Sequence, residues 1–303
     1  MTSIREHAPA KINLTLEIAG RRDDGLHELA SLVAFADIGD VVTLDPGGPP
    51  EISVSGPFAA ELVGVNILER AAALLKERAP QLAVGTVHLE KHLPVAAGVG
   101  GGSADAGALL RAVRKTNEAA SDSVDWHGLA RALGADVPVC LEAWPLWMTG
   151  TGDALAKIAG GLPPLHAVLV NPMAEVPEDK TACVFRMLGA RPLRAGYTAP
   201  EPPRFGDRDV LLDFMRARGN DLAVAAEAVV PETGVVHVAL AALPGVEYVA
   251  VSGAGPTSFG VFPDKSAAEA ARKVLSEQHG NWWIAAVALG ETNPLSPFLR
   301  GGG

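Results

Sequence analysis

The sequence predicts an α+β fold that is divided into two domains. The chain has 303 residues, which is long for one compact core and corresponds to about two domains of ordinary size. Both halves contain segments in which apolar and polar residues alternate as in strands, together with segments of helical spacing. The Gly- and Pro-rich segment 160–164 lies between them. We therefore expect an N-terminal domain at residues 1–160 and a C-terminal domain at residues 161–303, with a last strand that could return to the first domain.

Composition and charge exclude several classes of protein. Apolar residues make up 48% of the chain and charged residues 20%, which predicts a buried core and excludes a disordered chain. A net charge of −10 is unfavourable for a binder of nucleic acid or of an anionic membrane surface. The N-terminal segment lacks the apolar core of a signal peptide, and no run approaches the ~20 apolar residues that span a bilayer. We expect a cytoplasmic protein, monomeric or weakly homodimeric, with Cys140 and Cys183 as ordinary buried thiols.

The first half opens with β-structure and continues with a helix. Alternating apolar and polar residues predict strands at Ala10–Ala19, Glu28–Ala36 and Asp40–Leu44. Asn66–Arg78 places its apolar residues at helical spacing, and Thr86–Glu90 again has the pattern of a short strand. A glycine-rich turn follows this last strand directly.

Two helices and an extended segment are predicted to complete the first half. Ser103–Thr116 is rich in Ala and Leu, and Trp126–Leu133 is a second helix that ends at Gly134. The segment Ala135–Val139 is predicted to be extended, because the residue before Pro138 avoids the helical region.

The second half alternates strands and helices. The predicted strands are His166–Asn171, Tyr248–Ser252 and Ser258–Phe262, and the predicted helices are Leu211–Arg218, Asp221–Val229 and Ser266–Gln278. The turn Gly253–Pro256 lies between two of these strands. This order predicts an α+β sandwich in the second domain.

The glycine-rich turn is the strongest local signal for a phosphate site. Four glycines between Gly98 and Gly102 crowd the entrance to a helix, so backbone N–H groups can turn inward as an anion nest beside the positive end of the helix. The plainer alternative is a flexible surface loop or a helix cap, although a cap needs one glycine and not three in succession. The turn is not a P-loop, because no Gly-Lys-Ser or Gly-Lys-Thr follows it.

At these residues the chain resembles the GHMP kinase superfamily, which includes galactokinase, homoserine kinase, mevalonate kinase and phosphomevalonate kinase. The nucleotide loop of that superfamily has the form Pro-x-x-x-Gly-Leu-Gly-Gly-Gly-Ser, and Val99 replaces its Leu here. The resemblance implies ATP as cosubstrate, a first domain like the second domain of ribosomal protein S5 and a ferredoxin-like second domain. The loop residues that it assigns to ATP are Pro94, Val95, Ala96, Ala97, Gly98, Val99, Gly100, Gly101, Gly102, Ser103 and Ala104.

Four further motifs follow in the order of the superfamily and extend the resemblance over nearly the whole chain. They are Pro9–Leu14, Arg22–Leu29, Gly134–Pro138 and Val251–Gly255. The chain is most similar to the branch that acts in the non-mevalonate isoprenoid pathway. This implies transfer of the γ-phosphoryl group of ATP to the 2-hydroxyl of 4-diphosphocytidyl-2-C-methyl-erythritol. The alternatives are a mevalonate or homoserine type of kinase, or a catalytically silent relative that binds nucleotide.

Lys11 and Asp136 are the catalytic candidates. Phosphoryl transfer to an alcohol needs charge neutralised on the phosphate oxygens and an acceptor for the hydroxyl proton. By the resemblance, Asp136 accepts or orients that proton, while Lys11 keeps the carboxylate ionised and stabilises developing charge. Without the resemblance, the same residues would be read as a surface lysine and an aspartate that caps a turn.

The substrate candidates also follow from the resemblance. Asn13 and His27 are assigned to the cytosine, because an amide and an imidazole can read the edge of a base, although Leu26 stands where the family usually has tyrosine. Thr181 and Phe185 resemble residues that wall the cytidine site, and Glu178–Lys180 before them resembles an insertion. The backbone turn formed by Gly253, Ala254 and Gly255 resembles a motif that faces the substrate phosphates. The alternatives are a surface histidine and a tight hairpin turn.

Asn66 and Lys91 match positions that line the adenine pocket in relatives, although Asn66 also suits a simple N-cap. We expect Mg²⁺ to accompany the nucleotide. Ser103 and Asp153 are candidate neighbours of that ion, but no ligand set can be assigned from the sequence.

Overall fold

The computed structural model describes residues 2–62 and 64–290, so residues 291–303 of the predicted second domain lie outside the described residues. The strands of the first half are β1 (Ile4–Asn13), β2 (Glu17–Arg21), β3 (His27–Asp45), β4 (Ile52–Ser55), β5 (Thr86–Glu90), β6 (Leu146–Gly150) and β7 (Ala154–Lys157). After a short 3-10 helix at Ala59–Glu61, its helices are α1 (Ile67–Arg78), α2 (Gly101–Thr116), α3 (Glu118–Ser121), α4 (Trp126–Leu133) and α5 (Val137–Glu142).

The second half continues the mixture of strands and helices. Its strands are β8 (Leu165–Asn171), β9 (Tyr248–Val251), β10 (Ser258–Phe262) and β11 (Trp283–Leu289). Its helices are α6 (Lys180–Leu188), α7 (Arg208–Arg218), α8 (Ala223–Val229), α9 (Glu232–Ala241) and α10 (Lys265–Gln278). The predicted domain boundary at residues 160 and 161 falls in the loop between β7 and β8 and remains a prediction.

The long strand β3 organises the sheet. It pairs antiparallel with β1, β2, β5 and β6, and the register with β1 shifts between Pro9 and Lys11. The second half adds the order β11-β8-β10-β9, and β11 meets β3 where Leu289 pairs with Ala36. A single sheet thus carries the residues of both halves.

Helix α2 is the main helix of the first half. Most of its residues are buried against β1, β3 and α5, in a core that also includes Leu68, Leu75 and Val87. In the second half, α9 and α10 cover β8 and β10. A separate small cluster joins α6 and α8 to Leu16 and Ala254, and it fixes α6 beside the first half.

Several predicted elements differ from the structure. The strand predicted at Ala10–Ala19 is two strands, because the regular ladder is interrupted at Leu14–Leu16. The amides of Leu14 and Thr15 both donate to the carbonyl of Leu32 in β3, and the amide of Leu16 donates to the carbonyl of Gly219. The strands predicted at Glu28–Ala36 and Asp40–Leu44 are one continuous strand, β3. Gly39 between them pairs with Pro9, and the strand continues through Asp37 and Ile38 opposite the register shift in β1. Helices α6 and α9 were not predicted.

The prediction of an extended segment at Ala135–Val139 is wrong. Asp136 is the N-cap of α5, and Pro138 lies in the first turn of that helix. A proline is tolerated there because the first N–H groups of a helix have no intrahelical partner. The helix therefore places the Asp136 carboxylate at its N-terminus.

The prediction of two buried thiols holds for Cys140 only. Cys183 is partly exposed on α6, where it contacts Asp179 and Arg186. Burial raises the pKa of the Cys140 thiol to about 12.

Within residues 2–62 and 64–290, no helix combines the length and the apolar character that crossing a membrane requires.

Candidate active site

A cavity of about 1420 Å³ is lined by residues from both halves of the sheet. Its volume exceeds the roughly 300–1,000 Å³ of an ordinary small-ligand pocket, so it can hold two substrates together. The predicted site residues that line it are Lys11, Asn13, His27, Lys91, Pro94, Val95, Ala96, Ala97, Gly98, Gly100, Gly101, Gly102, Ser103, Asp136, Thr181, Phe185, Gly253 and Ala254. The predicted residues that are not part of the lining are Asn66, Val99, Ala104 and Gly255.

Lys11 and Asp136 meet in this cavity although 125 residues separate them in sequence. The Lys11 ammonium donates a hydrogen bond of 2.8 Å to Oδ1 of Asp136. The lysine side chain is 5% exposed, whereas the aspartate side chain is 40% exposed. The carboxylate is therefore held by a buried cation and still faces the space where a substrate can enter.

The glycine-rich turn passes directly over Lys11. The Lys11 amide bonds to the carbonyl of Val99, and a Cβ on Gly100 would lie 3.2 Å from Cβ of Lys11. Gly100 is the N-cap of α2 with a φ of 67°, a conformation that favours glycine. The first N–H groups of a helix have no intrahelical partners. Since no side chain caps α2 either, these N–H groups remain available beside the cavity. Such an end with partial positive charge suits phosphate oxygens.

The same turn is attached to the second half by close backbone contacts. A Cβ on Gly98 would lie 2.2 Å from the carbonyl oxygen of Gly255, so no larger residue fits there. The carbonyl of Ala97 accepts hydrogen bonds from the hydroxyl of Thr257 at 2.6 Å and from its amide at 3.2 Å. The turns at 98–102 and 253–255 are therefore held together as one wall of the cavity.

Asn13 and His27, which were assigned to the nucleobase from the sequence, have different neighbours in the cavity. The side-chain nitrogen Nδ2 of Asn13 donates to the hydroxyl of Ser31 at 2.8 Å. A Cβ on Gly253 would lie 3.1 Å from Oδ1 of Asn13. The ring of His27 stacks on Phe185 with centroids 4.6 Å apart. Burial, together with the nearby charge of Arg21, lowers the pKa of His27. A neutral imidazole and an aromatic face are thus presented to the cavity.

The ammonium of Lys91 is held in a buried ion-pair triad. Its ammonium bonds to Asp40 and, at 2.9 Å, to Asp105, and all three side chains are buried. Burial opposes the charge of Lys91, but the carboxylates of Asp105 and Asp40 outweigh it and raise the lysine pKa. Burial also raises the pKa of Asp105 to about 8, against the attraction of Lys91. The triad supports the base of the glycine-rich turn from beneath.

Asn66 is a helix cap. Its side chain accepts from the amide of Leu68, and the side chain of Glu69 accepts from the Asn66 amide in return, which is a capping box. The next residue, Ile67, is the one that lines the cavity. The cap therefore orients α1 at the edge of the site.

Basic residues that were not predicted from the sequence also line the cavity: Arg21, Arg131, Lys180 and Arg186. In a chain of net charge −10, each basic residue near a motif indicates local attraction for an anion. The two acids Glu178 and Asp179 directly before Lys180 hid this signal, because such a charged run is typical of a solvated turn.

Two family models match the chain. The model described as GHMP kinases N terminal domain matches residues 66–143, and the model described as GHMP kinases C terminal matches residues 207–281. The first match contains the glycine-rich turn and Asp136. The second includes the Gly253–Gly255 turn.

Curated relatives match over most of the chain. A protein of Rhodopseudomonas palustris named 4-diphosphocytidyl-2-C-methyl-D-erythritol kinase is 44% identical over 298 residues, which cover 95% of this chain and 97% of the relative. A protein of the same name from Xanthobacter autotrophicus is also 44% identical, with 95% of this chain and 100% of the relative covered.

Solved structures agree with the sequence comparison. A crystal structure of 4-(cytidine 5'-diphospho)-2C-methyl-D-erythritol kinase superimposes with a TM-score of 0.72 at 33% identity, covering 95% of this chain and 100% of the other. Homoserine kinase from Cytophaga hutchinsonii has a TM-score of 0.62 at 16% identity and shares the fold, with 95% of this chain and 94% of the other covered. The predicted α+β fold class is confirmed.

Proposed function

This chain belongs to the GHMP kinase family, and we infer that it phosphorylates 4-diphosphocytidyl-2-C-methyl-D-erythritol with ATP. It is a small-molecule phosphotransferase, and the resemblance stated from its sequence motifs is confirmed. The reaction is a step towards isoprenoid precursors. We propose further that the hydroxyl which accepts the phosphoryl group is the 2-hydroxyl.

The contact between Lys11 and Asp136 inside the cavity is the observation that carries the proposed mechanism. The Asp136 carboxylate accepts the proton of the substrate hydroxyl late in a loose transition state, when the alcohol has become acidic. At 2.8 Å, Lys11 keeps this carboxylate oriented, and it stabilises charge that develops on the transferred group. Because a carboxylate is a weak base, the position of Asp136 contributes more than its basicity.

The glycine-rich turn holds the nucleotide phosphates in this mechanism. The N–H groups at the start of α2 lack intrahelical partners, and they line the cavity from Gly101 to Ser103. Since Gly100 packs on the side chain of Lys11, a phosphate at this turn lies next to the lysine. This arrangement supports an in-line approach of the hydroxyl held at Asp136.

Magnesium is proposed to bind with ATP. The hydroxyl of Ser103 and the carboxylate of Asp153 both line the cavity and supply the oxygen donors that Mg²⁺ prefers. Among the residues that the structure describes, no cluster of three His, Cys, Asp or Glu side chains forms a metal cage. The donor set therefore fits an ion held mainly by nucleotide phosphates and water, whose charge would neutralise phosphate oxygens.

The acceptor is tested by measuring ADP release against a panel of alcohols. The panel contains 4-diphosphocytidyl-2-C-methyl-D-erythritol, mevalonate and homoserine, and the product of the active reaction is located by phosphorus NMR. The proposal expects turnover of the cytidine compound alone, with phosphate on its 2-hydroxyl. Turnover of mevalonate or homoserine in its place would support another kinase of the family. Nucleotide binding without turnover of any alcohol would support a silent relative.

A cytoplasmic location and a monomeric or weakly dimeric state remain predictions, as does the absence of nucleic-acid and membrane partners. Sedimentation analysis across a concentration series measures the oligomeric state directly. Cell fractionation tests the location.

A further inference from the structure

Lys180 is a buried cation on the wall of the active-site cavity. It begins α6 and lines the cavity, yet it is only 6% exposed. Its ammonium donates a hydrogen bond to the carbonyl of Gly255. A lysine carries three donors, and this one bond accounts for one of them.

The other buried cations in the described part of the chain all have carboxylate partners. Lys11 pairs with Asp136, Lys91 pairs with Asp40 and Asp105, and Arg111 pairs with Glu6. Among the ion pairs of residues 2–62 and 64–290, none involves Lys180.

The neighbouring carboxylate does not compensate the charge of Lys180. Asp179 is the N-cap of α6, and its side chain pairs with Arg186 at 2.8 Å and contacts Cys183. Burial lowers the pKa of Lys180 to about 8, and no nearby charge raises it again. A buried charge without a partner is costly, so it is expected where a ligand supplies the counter-charge.

The position of Lys180 indicates which ligand that is. The Gly255 carbonyl that it contacts is the same oxygen that packs against Gly98 of the glycine-rich turn. Five residues further along α6 lies Phe185, which stacks on His27. Five helical residues span ~7.5 Å. Lys180 therefore lies between the proposed nucleobase wall and the proposed phosphate turn.

We propose that Lys180 binds the diphosphate of the acceptor substrate and acts as a specificity-determining residue against acceptors that lack it. This inference rests on the proposed function. An alcohol without a diphosphate leaves the buried ammonium uncompensated, so it binds less well than one that brings two phosphates to this position. The chain supplies this cation from 178–180, the segment that resembles an insertion in the sequence.

Two substitutions separate the charge of Lys180 from its hydrogen bond. Lys180→Met removes the charge and the donor, whereas Lys180→Gln keeps a donor for the Gly255 carbonyl but carries no charge. Lys265→Met is the control, because Lys265 is exposed at the start of α10 and is not part of the cavity lining. The dissociation constants of CDP, CMP and ADP are measured for each variant by calorimetry, and KM and kcat are measured with the full acceptor.

The proposal expects both Lys180 variants to bind CDP roughly tenfold to a hundredfold more weakly than the wild type. This is the effect expected when one charge-assisted hydrogen bond is lost. The loss for CMP should be smaller, ADP binding should be unchanged, and KM for the acceptor should rise while kcat is largely kept. Lys265→Met should match the wild type.

Other outcomes would overturn the proposal. If Lys180→Gln restores the affinity for CDP, the lysine acts by holding the 253–255 turn and not by its charge. If ADP binding is lost while CDP binding is retained, the nucleotide phosphates are its ligand. If the wild type turns over the acceptor and all variants bind CDP equally, this inference fails and the proposed function stands. If the wild type itself neither binds nor phosphorylates the acceptor, the proposed function fails.

Discussion

The carbonyl oxygen of Ala97 accepts two hydrogen bonds from Thr257, one from its hydroxyl at 2.6 Å and one from its amide at 3.2 Å. These bonds join the glycine-rich turn of the first half to the strand region of the second. Asn171 donates to the same hydroxyl at 2.9 Å, so Thr257 is the centre of a buried polar network. The shape of the phosphate wall therefore depends on a residue 160 positions away in sequence.

Thr257→Val should destabilise the protein by about 1–3 kcal/mol, because it leaves the buried amide of Asn171 and the carbonyl of Ala97 short of a partner. Urea unfolding measures this change, and calorimetry should show weaker ADP binding. Thr233→Val is the matched control. The Thr233 hydroxyl is buried and, among the described residues, has no hydrogen-bond partner, so its removal should be neutral or stabilising. Equal losses for both variants would contradict this account of the network.

Gly98→Ala should reduce both stability and nucleotide affinity. Gly98 has a φ of 79°, and a Cβ there would lie 2.2 Å from the Gly255 carbonyl, so the two turns must separate. Thermal unfolding and ADP calorimetry measure the effects. Gly206→Ala is the control, because no atom lies within 4 Å of its added Cβ. Wild-type ADP binding by Gly98→Ala would show that the close contact is dispensable.

Phe185→Leu should raise the KM for the acceptor about twofold to tenfold, since an aromatic contact contributes roughly 0.5–1.5 kcal/mol beyond area burial. The stack of Phe185 on His27, with centroids 4.6 Å apart, forms part of the proposed nucleobase wall. Steady-state kinetics should show KM for ATP unchanged. Met187→Leu on the same helix serves as control, because Met187 is 58% exposed. A rise in KM for ATP in place of the acceptor would assign this wall to the nucleotide.

Lys180 should reduce the stability of the unliganded protein most below pH 8. Burial lowers its pKa from 10.5 to about 8, so the unfolded chain holds a proton between these pH values that the folded protein has released. The contribution of Lys180 to the free energy of unfolding therefore rises as the pH increases from about 8 to 10.5, by ~3 kcal/mol in all. Urea unfolding at pH 7 and pH 10 compares the free energies of unfolding of the wild type and Lys180→Met. The excess stability of Lys180→Met over the wild type should be larger at pH 7. A difference that is independent of pH would contradict the assigned cause.

Much of the first half was predictable because local signals and tertiary packing agree there. Helix α4 has the predicted bounds Trp126–Leu133. The glycines at 98–102 mark the turn into α2, although this helix begins at Gly101 and not at the predicted Ser103. The preference of a residue before proline for extended backbone misled the prediction at Asp136, since the first turn of a helix tolerates proline.

The functional environment of Lys91 and Lys180 could not be predicted from local sequence. The partners of Lys91 are Asp40 and Asp105, which the sheet and α2 bring together from distant segments. Lys180 follows two acids in sequence, which is typical of a solvated charged turn, yet packing of α6 against α8 buries it. Burial of a charge is a tertiary property, and composition alone does not report it.

The most direct test of the active site is the kcat of Asp136→Asn with 4-diphosphocytidyl-2-C-methyl-D-erythritol and ATP. The substitution keeps the size of the side chain and a hydrogen-bond acceptor for Lys11, but it removes the proton acceptor. The account predicts a fall in kcat of roughly 10²- to 10⁴-fold with ADP affinity unchanged. A variant that retains the kcat of the wild type would remove Asp136 from the mechanism and contradict the proposed role of its contact with Lys11.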